Sequence, residues 1–230
     1  MITLGIESAT TVVGVAIAGD DGMLGSVEIN GGRRHAEVLS PAIEFVCHHA
    51  QIDVAEIGAV AVDIGPGLFT GMRVGIATAK ALAHALQIPV VGVSSLDLLA
   101  HPLRQRAADT DRIIASVIDA RKGEVFAAFY KATADGIQRV SEPRACSIAD
   151  FNADVLARGQ DMIAVGDGAW RYRDELEPGI EIRERAHPSA VSLVEIGRPL
   201  ALTAEADGIT PEVQPMYLRA PDAQINWTSR

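Results

Sequence analysis

Three short apolar runs open the chain, Ile2 to Glu7, Val12 to Ala18 and Met23 to Ile29, parted only by Ser8 to Thr11 and by Gly19 to Gly22. Runs this short, β-branched or apolar and separated by turn chemistry, predict an antiparallel meander of three strands. The period then changes. From Arg33 to about Ala50 the residues Ala36, Leu39, Ile43 and Val46 recur at spacings of three and four, which predicts a helix that Pro41 should kink or interrupt. A strand at Ala59 to Ile64, a loop at Gly65 to Thr70 and a helix from Gly71 to Gln87 come next. After them stand a strand at Pro89 to Ser94 and a helix from about Leu96 to Arg106, capped by Ser94 or Ser95. A meander extended by parallel strands through crossover helices leaves few arrangements open, and a mixed sheet with helices on its faces is the simplest.

That order, βββαβαβ, describes the ribonuclease-H-like unit that occurs twice in actin-like and sugar-kinase-like proteins. A shortened second copy fits the rest of the chain. Strands at Ile113 to Asp119 and Val125 to Tyr130 are joined by Ala120 to Glu124, with a further turn signal at Asp135-Gly136. Then come a helix at Ile148 to Leu156, a strand at Met162 to Val165, a helix around Trp170 and a long helix from Ser189 to about Ala206. The expected fold is α/β and two-lobed, with mixed sheets. The polar stretch Gln105 to Arg112 places the lobe boundary between 1–105 and 106–230, with the last helix and tail as candidates for packing back on the first lobe.

A chain of 230 residues, 48% hydrophobic and 22% charged, can bury a core. Its formal net charge of −10 excludes a broad surface that grips a phosphate backbone, so any nucleic-acid contact must be local or delegated. Two cysteines, Cys47 and Cys146, make neither a disulfide framework nor a cysteine metal site. Met1 to Ser8 lack the form of a signal peptide, and no stretch reaches about 18 apolar residues, so a cytoplasmic protein without membrane contact is expected.

The most informative stretch is Gly65-Pro66-Gly67-Leu68-Phe69-Thr70-Gly71-Met72-Arg73-Val74-Gly75. Glycines around a proline at a strand end make a tight turn, and Thr70 can cap the helix behind it. Two readings stand. Either the backbone N–H groups of this loop face an anion, or the loop is a connector whose glycines allow close packing. In the adjoining helix, Gly71, Gly75, Ala79 and Ala83 fall at spacing four and make a strip along which another backbone can approach. Its partner is the chain's own sheet or a helix of another subunit. Arg73, Lys80, His84 and Gln87 form a polar stripe beside it.

No two of the six histidines stand at i and i+4, and Leu39 occupies the place where a second helical ligand would accompany His35. The turn Gly5-Ile6-Glu7-Ser8-Ala9-Thr10 sits where an actin-like ATPase keeps its first phosphate loop, with Glu7 in place of the usual Asp. Ser8 and Thr10 are candidate phosphate contacts or plain turn residues. The matching turn of the second lobe, Asp119-Ala120-Arg121-Lys122-Gly123-Glu124, is a charged hairpin with two readings, solvated or binding.

Together these segments resemble the bacterial TsaB family, also called YeaZ. Leu4 to Thr10, Gly65 to Gly75 with the helix to Ala83, Asp119 to Phe126, and Pro215-Met216-Tyr217-Leu218-Arg219 carry the resemblance. It implies a noncatalytic partner and activator of TsaD, the transferase that places a threonylcarbamoyl group on adenosine 37 of tRNAs reading codons that begin with A. Homologues of TsaD and of the ATPase TsaE are the implied partners, with tRNA reached only through the complex, no cofactor, and a homodimer when the partner is missing. Partner binding is expected at His35, Leu39, Gly71, Arg73, Gly75, Ala79, Lys80 and Ala83. Glu7, Ser8, Thr10, Gly65, Gly67 and Thr70 are the candidate nucleotide or anion contacts, and neither catalytic residues nor metal ligands are expected. An actin-like-fold kinase or ATPase, and a metallopeptidase, are the alternatives from other classes.

Overall fold

The computed structural model describes residues 1–32, 34–105, 111–134, 136–183, 186–208 and 212–219. The expected lobe boundary near residue 106, the helix start at Arg33, the helix end at Arg106 and Asp135 of the second turn signal lie outside them.

The meander forms as β1 (Ile2–Glu7), β2 (Val12–Gly19) and β3 (Gly22–Asn30). Helix α1 (His35–Ala50), strand β4 (Ile57–Asp63), helix α2 (Phe69–Leu86), strand β5 (Val90–Val93) and helix α3 (Ser95–Ala100) complete the first lobe's series. The sheet order is β3-β2-β1-β4-β5, with the meander antiparallel and β1, β4 and β5 parallel. Helix α1 runs unbroken through Pro41, contrary to the expected interruption. Pro41 and Glu37, one turn before it, are both exposed, so water can serve the carbonyl left without its N–H partner. Ser94 caps α3, its hydroxyl accepting from the Leu96 N–H. That helix stops at Ala100, shorter than expected, and a 3-10 turn continues over His101–Leu103.

Strand alternation sends Leu4, Ile6, Val60 and Val62 to one face, where Leu39, Ile43 and Val46 of α1 and Ile76, Ala79 and Ala83 of α2 cover them. Each large side chain buried in this way contributes about 1.5 to 3 kcal/mol. The opposite face is lined by small residues and receives the last helix, α6 (Ala190–Asp207), through Leu193, Ala201 and Ala204 against Ala59, Ala61 and Val91, and through Ala190 and Val194 against Ala16 and Ala18. A Cβ on Gly197 would collide with Ala61, so the backbones of α6 and β4 approach as closely as glycine allows.

The second sheet has the same plan, reduced. It contains β6 (Ile113–Arg121), β7 (Glu124–Thr133), β8 (Gly136–Arg139), β9 (Arg144–Ser147), β10 (Met162–Val165) and β11 (Glu181–Ile182). Its order is β11-β10-β6-β7-β8, and β9 also pairs with β7. Helix α4 (Ile148–Arg158) covers one face through Phe151 and Val155. On the other face α3 sets Leu96, Leu99 and Ala100 against Ile114, Ile118 and Tyr130. A short helix α5 (Asp167–Arg171) stands where the first sheet has the long α2.

Candidate functional site between the two sheets

Strands β1 and β4 run parallel with Leu4 beside Val60 and Ile6 beside Val62, so Glu7 and Asp63 end side by side on the face that α6 covers. Both side chains are completely buried. Glu7 Oε1 accepts from the Ala9 N–H at 2.9 Å. Asp63 Oδ1 accepts from the Gly65 N–H and the Ser95 hydroxyl, each at 2.7 Å. Glu7 Oε2 and Asp63 Oδ2 have no partner among the described residues. Burial, and next the Asp63 carboxylate, push Glu7 well above the usual carboxylate range. Burial pushes Asp63 up to about 7, against the hydrogen bonds from Ser95 and Gly65. Two such groups lose both protons only at high cost, so near neutrality a proton stays with the pair.

The turns after these strands close on each other. The Leu68 N–H donates to Ala9 O at 2.6 Å, and the Ser8 hydroxyl to Gly71 O at 2.9 Å. His35 Nε2 lies 2.6 Å from Thr10 O, which fixes that nitrogen as the protonated donor, since a carbonyl can only accept. Thr10 Oγ1 accepts from the Val12 N–H at 3.2 Å. A Cβ added to Gly67 would overlap Ala9 O, one on Gly71 would overlap Ser8 O, and one on Gly75 would overlap Ser8 Oγ. Of the two readings of this loop, the connector describes it. Glu7, Ser8, Thr10, Gly65 and Gly67 do come together, but the N–H groups of Ala9, Gly65 and Leu68 are occupied inside the chain, and the carboxyl pair behind them repels an anion.

Several expected roles are corrected here. Thr70 caps nothing: α2 already begins at Phe69 after the N-cap position Leu68, and Thr70 is exposed in its first turn. The strip Gly71, Gly75, Ala79 and Ala83 is buried against the chain's own first lobe. His35 and Leu39 are buried as well. In the chain by itself these six residues are covered by its own first lobe, whereas Arg73 and Lys80 stand exposed on the outer side of α2.

A cleft of about 750 Å³ lies beyond these turns, lined from the first lobe by Thr10, Leu68 and Phe69 and from the second by Ile118, Arg121 and Phe126. The segment 212–219 straps its rim. Val213 is buried in the first core, the Met216 N–H donates to Ile64 O at 2.7 Å, and Arg219 is ion-paired with Glu124 of the second sheet. Tyr217 stacks on Phe69 with ring centroids 5.5 Å apart. Arg73 Nε donates to the Tyr217 hydroxyl at 3.0 Å, with its guanidinium 4.0 Å above the Phe69 ring.

Across the cleft, the Asp119 side chain near the end of β6 is only 3% exposed. Its carboxylate accepts from the Arg121 N–H at 2.9 Å, from Arg121 Nη1 at 3.1 Å and from the Tyr172 hydroxyl at 3.3 Å, and Arg171 Nη1 lies 3.6 Å away. The Asp119 N–H donates to Asp167 Oδ1 at 3.0 Å, and burial raises the Asp167 carboxyl above its ordinary range. The pairing of β6 with β7 slips between Asp119 and Arg121, and Arg121, Lys122 and Gly123 carry φ of +67°, +56° and +79°. A left-handed backbone costs a non-glycine residue about 1 to 2 kcal/mol. The residues of this site that motif reading missed are Asp63, Asp167 and Arg171. The legible signal was Asp63, the one acid in the otherwise apolar run Ile57–Asp63, immediately before the glycine loop.

Two mixed sheets built on one plan, with acidic turns at the strand ends facing across a cleft, define an α/β protein of the actin-like and sugar-kinase-like class. Residues 25–227 match the family model described as TsaD: tRNA N6-adenosine threonylcarbamoyltransferase. The tRNA threonylcarbamoyladenosine biosynthesis protein TsaB of Escherichia coli (strain K12) is 31% identical over 95% of this chain and 95% of its own. The protein of the same name from Bacillus subtilis (strain 168) is 24% identical over 99% and 98%. YeaZ from Pseudomonas aeruginosa, a solved structure, superposes with a TM-score of 0.76 at 27% identity, covering 94% of this chain and 99% of that one. The chain belongs to the TsaB/YeaZ family of tRNA threonylcarbamoyladenosine biosynthesis proteins.

Proposed function

We propose that the chain is a noncatalytic subunit of the assembly that transfers a threonylcarbamoyl group to adenosine 37 of tRNAs reading codons that begin with A. It acts there as partner and activator of a TsaD homologue, with a TsaE homologue as third component, in the cytoplasm. The observation that carries this reading is the clasp between the two strand-end turns. The N–H groups of Ala9, Gly65 and Leu68, which would otherwise meet a nucleotide phosphate, hold the chain's own Glu7, Asp63 and Ala9.

The partner contact is proposed for the outer side of α2, at Arg73, Lys80 and the exposed Ala77 between them. In the absence of the partner the same side supports self-association, because a surface built for one helix pair can meet a copy of itself.

The test is reconstitution of tRNA modification from purified components with and without this chain, read as modified nucleoside. Modification should depend on the chain. Lys80→Glu should weaken binding to the TsaD homologue tenfold or more and leave the fold intact, whereas Arg73→Glu should do so while also loosening Tyr217 from Phe69. Full-rate modification without the chain, or steady ATP turnover by the chain alone that Asp63→Asn abolishes, would overturn the reading.

A further inference from the structure

The hairpin at the end of β6 has a feature that packing does not require. Its backbone turns left-handed at Arg121, a residue type that resists this conformation, at a slip in the strand register. The effect is to lay the Arg121 guanidinium on Asp119, where Arg171 arrives from α5. Asp119 is almost wholly buried, while the Arg121 and Arg171 side chains are 61% and 58% exposed. One buried carboxylate thus holds two largely exposed guanidiniums at the surface, with the Asp167 carboxyl beside them. One residue before Arg171 on α5, the exposed Trp170 ring carries the Arg173 guanidinium 5.0 Å from its centre. Asp174 is the acid nearest to Arg173, at 3.6 Å, and is itself largely solvated.

We propose that Arg121, Arg171 and Trp170 form a local contact for the sugar–phosphate backbone and an unstacked base of RNA, so that this chain itself touches the tRNA. Paired guanidiniums in a fixed fork match phosphate oxygens. The exposed indole of the preceding residue on α5 offers a face on which a base of the same RNA strand stacks. The group is open and lies outside the clasp, which suits a chain of phosphodiesters better than a single enclosed nucleotide. This rests on the proposed role in tRNA modification and departs from the expectation that tRNA is reached only through the partner.

The experiment is fluorescence anisotropy with a labelled, unmodified tRNA at several salt concentrations. It uses the full chain alone and together with the TsaD homologue, whose binding is measured in the same samples. Arg121→Gln and Arg171→Gln should each weaken RNA binding about fivefold and lower the slope of log affinity against log salt by about one. Trp170→Ala should weaken it roughly fivefold or more with the slope unchanged. Arg121→Gly, which relaxes the backbone, should lose RNA affinity with no loss of thermal stability. Arg144→Gln, which removes an exposed charge paired with Asp154 on α4, should leave RNA affinity as it was.

RNA affinity unchanged by all three site substitutions, in both forms of the protein, overturns the proposal. So does labelled ATP displaced by these substitutions while RNA is unaffected, or TsaD binding lost in step with RNA binding, which would make the patch a protein contact. Failure of the wild-type chain to bind the TsaD homologue at all would instead count against the proposed function, and the RNA result on the chain alone would still decide this one.

Discussion

At the end of β1 the Glu7 carboxyl is held by one backbone N–H and no ion pair reaches it among the described residues, whereas near the end of β6 the Asp119 carboxylate gathers two guanidiniums and a tyrosine hydroxyl. The neighbouring parallel strand leads to a second acid in both places, Asp63 at the end of β4 and Asp167 at the start of α5, two residues beyond β10. Glycines press the adjoining turns together in both as well: Gly67 and Gly71 against Ala9 and Ser8, Gly166 and Gly168 against Val117 and Ile118. What differs is the residue after the turn starts. Ser8 and Ala9 are small enough for the two turns of the first lobe to interlock, while Arg121 has to lie on the surface and draws Arg171 to the same carboxylate. One topology therefore gives a sealed clasp around two buried carboxyls on one side of the cleft and an open rim that carries two guanidiniums on the other.

The strongest way to break that comparison is pH. A carboxyl whose folded pKa is raised favours the protonated, folded state. Its contribution is complete below the ordinary pKa of 3.8 and is lost as the pH rises through about 7. Because Glu7 and Asp63 titrate together, this loss belongs to the pair rather than to either residue. Asp63→Asn should match the wild type in thermal melts near pH 4 and exceed it increasingly up to pH 8. Equal melting at every pH would mean that the pair is not buried as described.

Gly71→Ala is expected to destabilise by about 3 kcal/mol, because the new Cβ meets the Ser8 carbonyl, which is backbone and cannot swing aside. Urea titration measures this. A loss confined to partner binding would return the strip to the surface. Asp119→Asn should have the opposite sign to Asp63→Asn at pH 8, destabilising by about 1 to 2 kcal/mol as two guanidiniums lose their shared charge. The smallest effect belongs to the tip of the same hairpin. Lys122 and Gly123 form a two-residue loop with both φ positive, an arrangement Asn-Gly prefers, so Lys122→Asn should raise stability by roughly 0.5 kcal/mol.

The strands of the first lobe are legible in the sequence within one or two residues because each is a short apolar run bounded by turn chemistry, and Met162–Val165 is a strand over the whole of its apolar run. The start of α2 is not legible, because its first turn is held by a contact remote in sequence. Leu68 already donates to Ala9 O, so the helix needs no side-chain cap from Thr70. The small strip on α2 is indeed a face of close approach. Periodicity identifies a face, however, not what lies against it, and the Ser8 turn arrives there from far along the chain. The pairing of Glu7 with Asp63 is hidden for the same reason: each looks like an ordinary polar end to a strand until the parallel register sets them side by side.

Helix α6 lies against strands made at the very beginning of the chain, and its residues 190–207 are among the last of the described residues to be synthesised. At about 5 to 20 residues per second a ribosome needs roughly ten to forty seconds to pass from the meander to this helix. Throughout that interval the alanine-lined side of the first sheet has no cover of its own. The first half of the protein is thus born incomplete, and nascent-chain lengths that end before α6 should be the ones that need a chaperone.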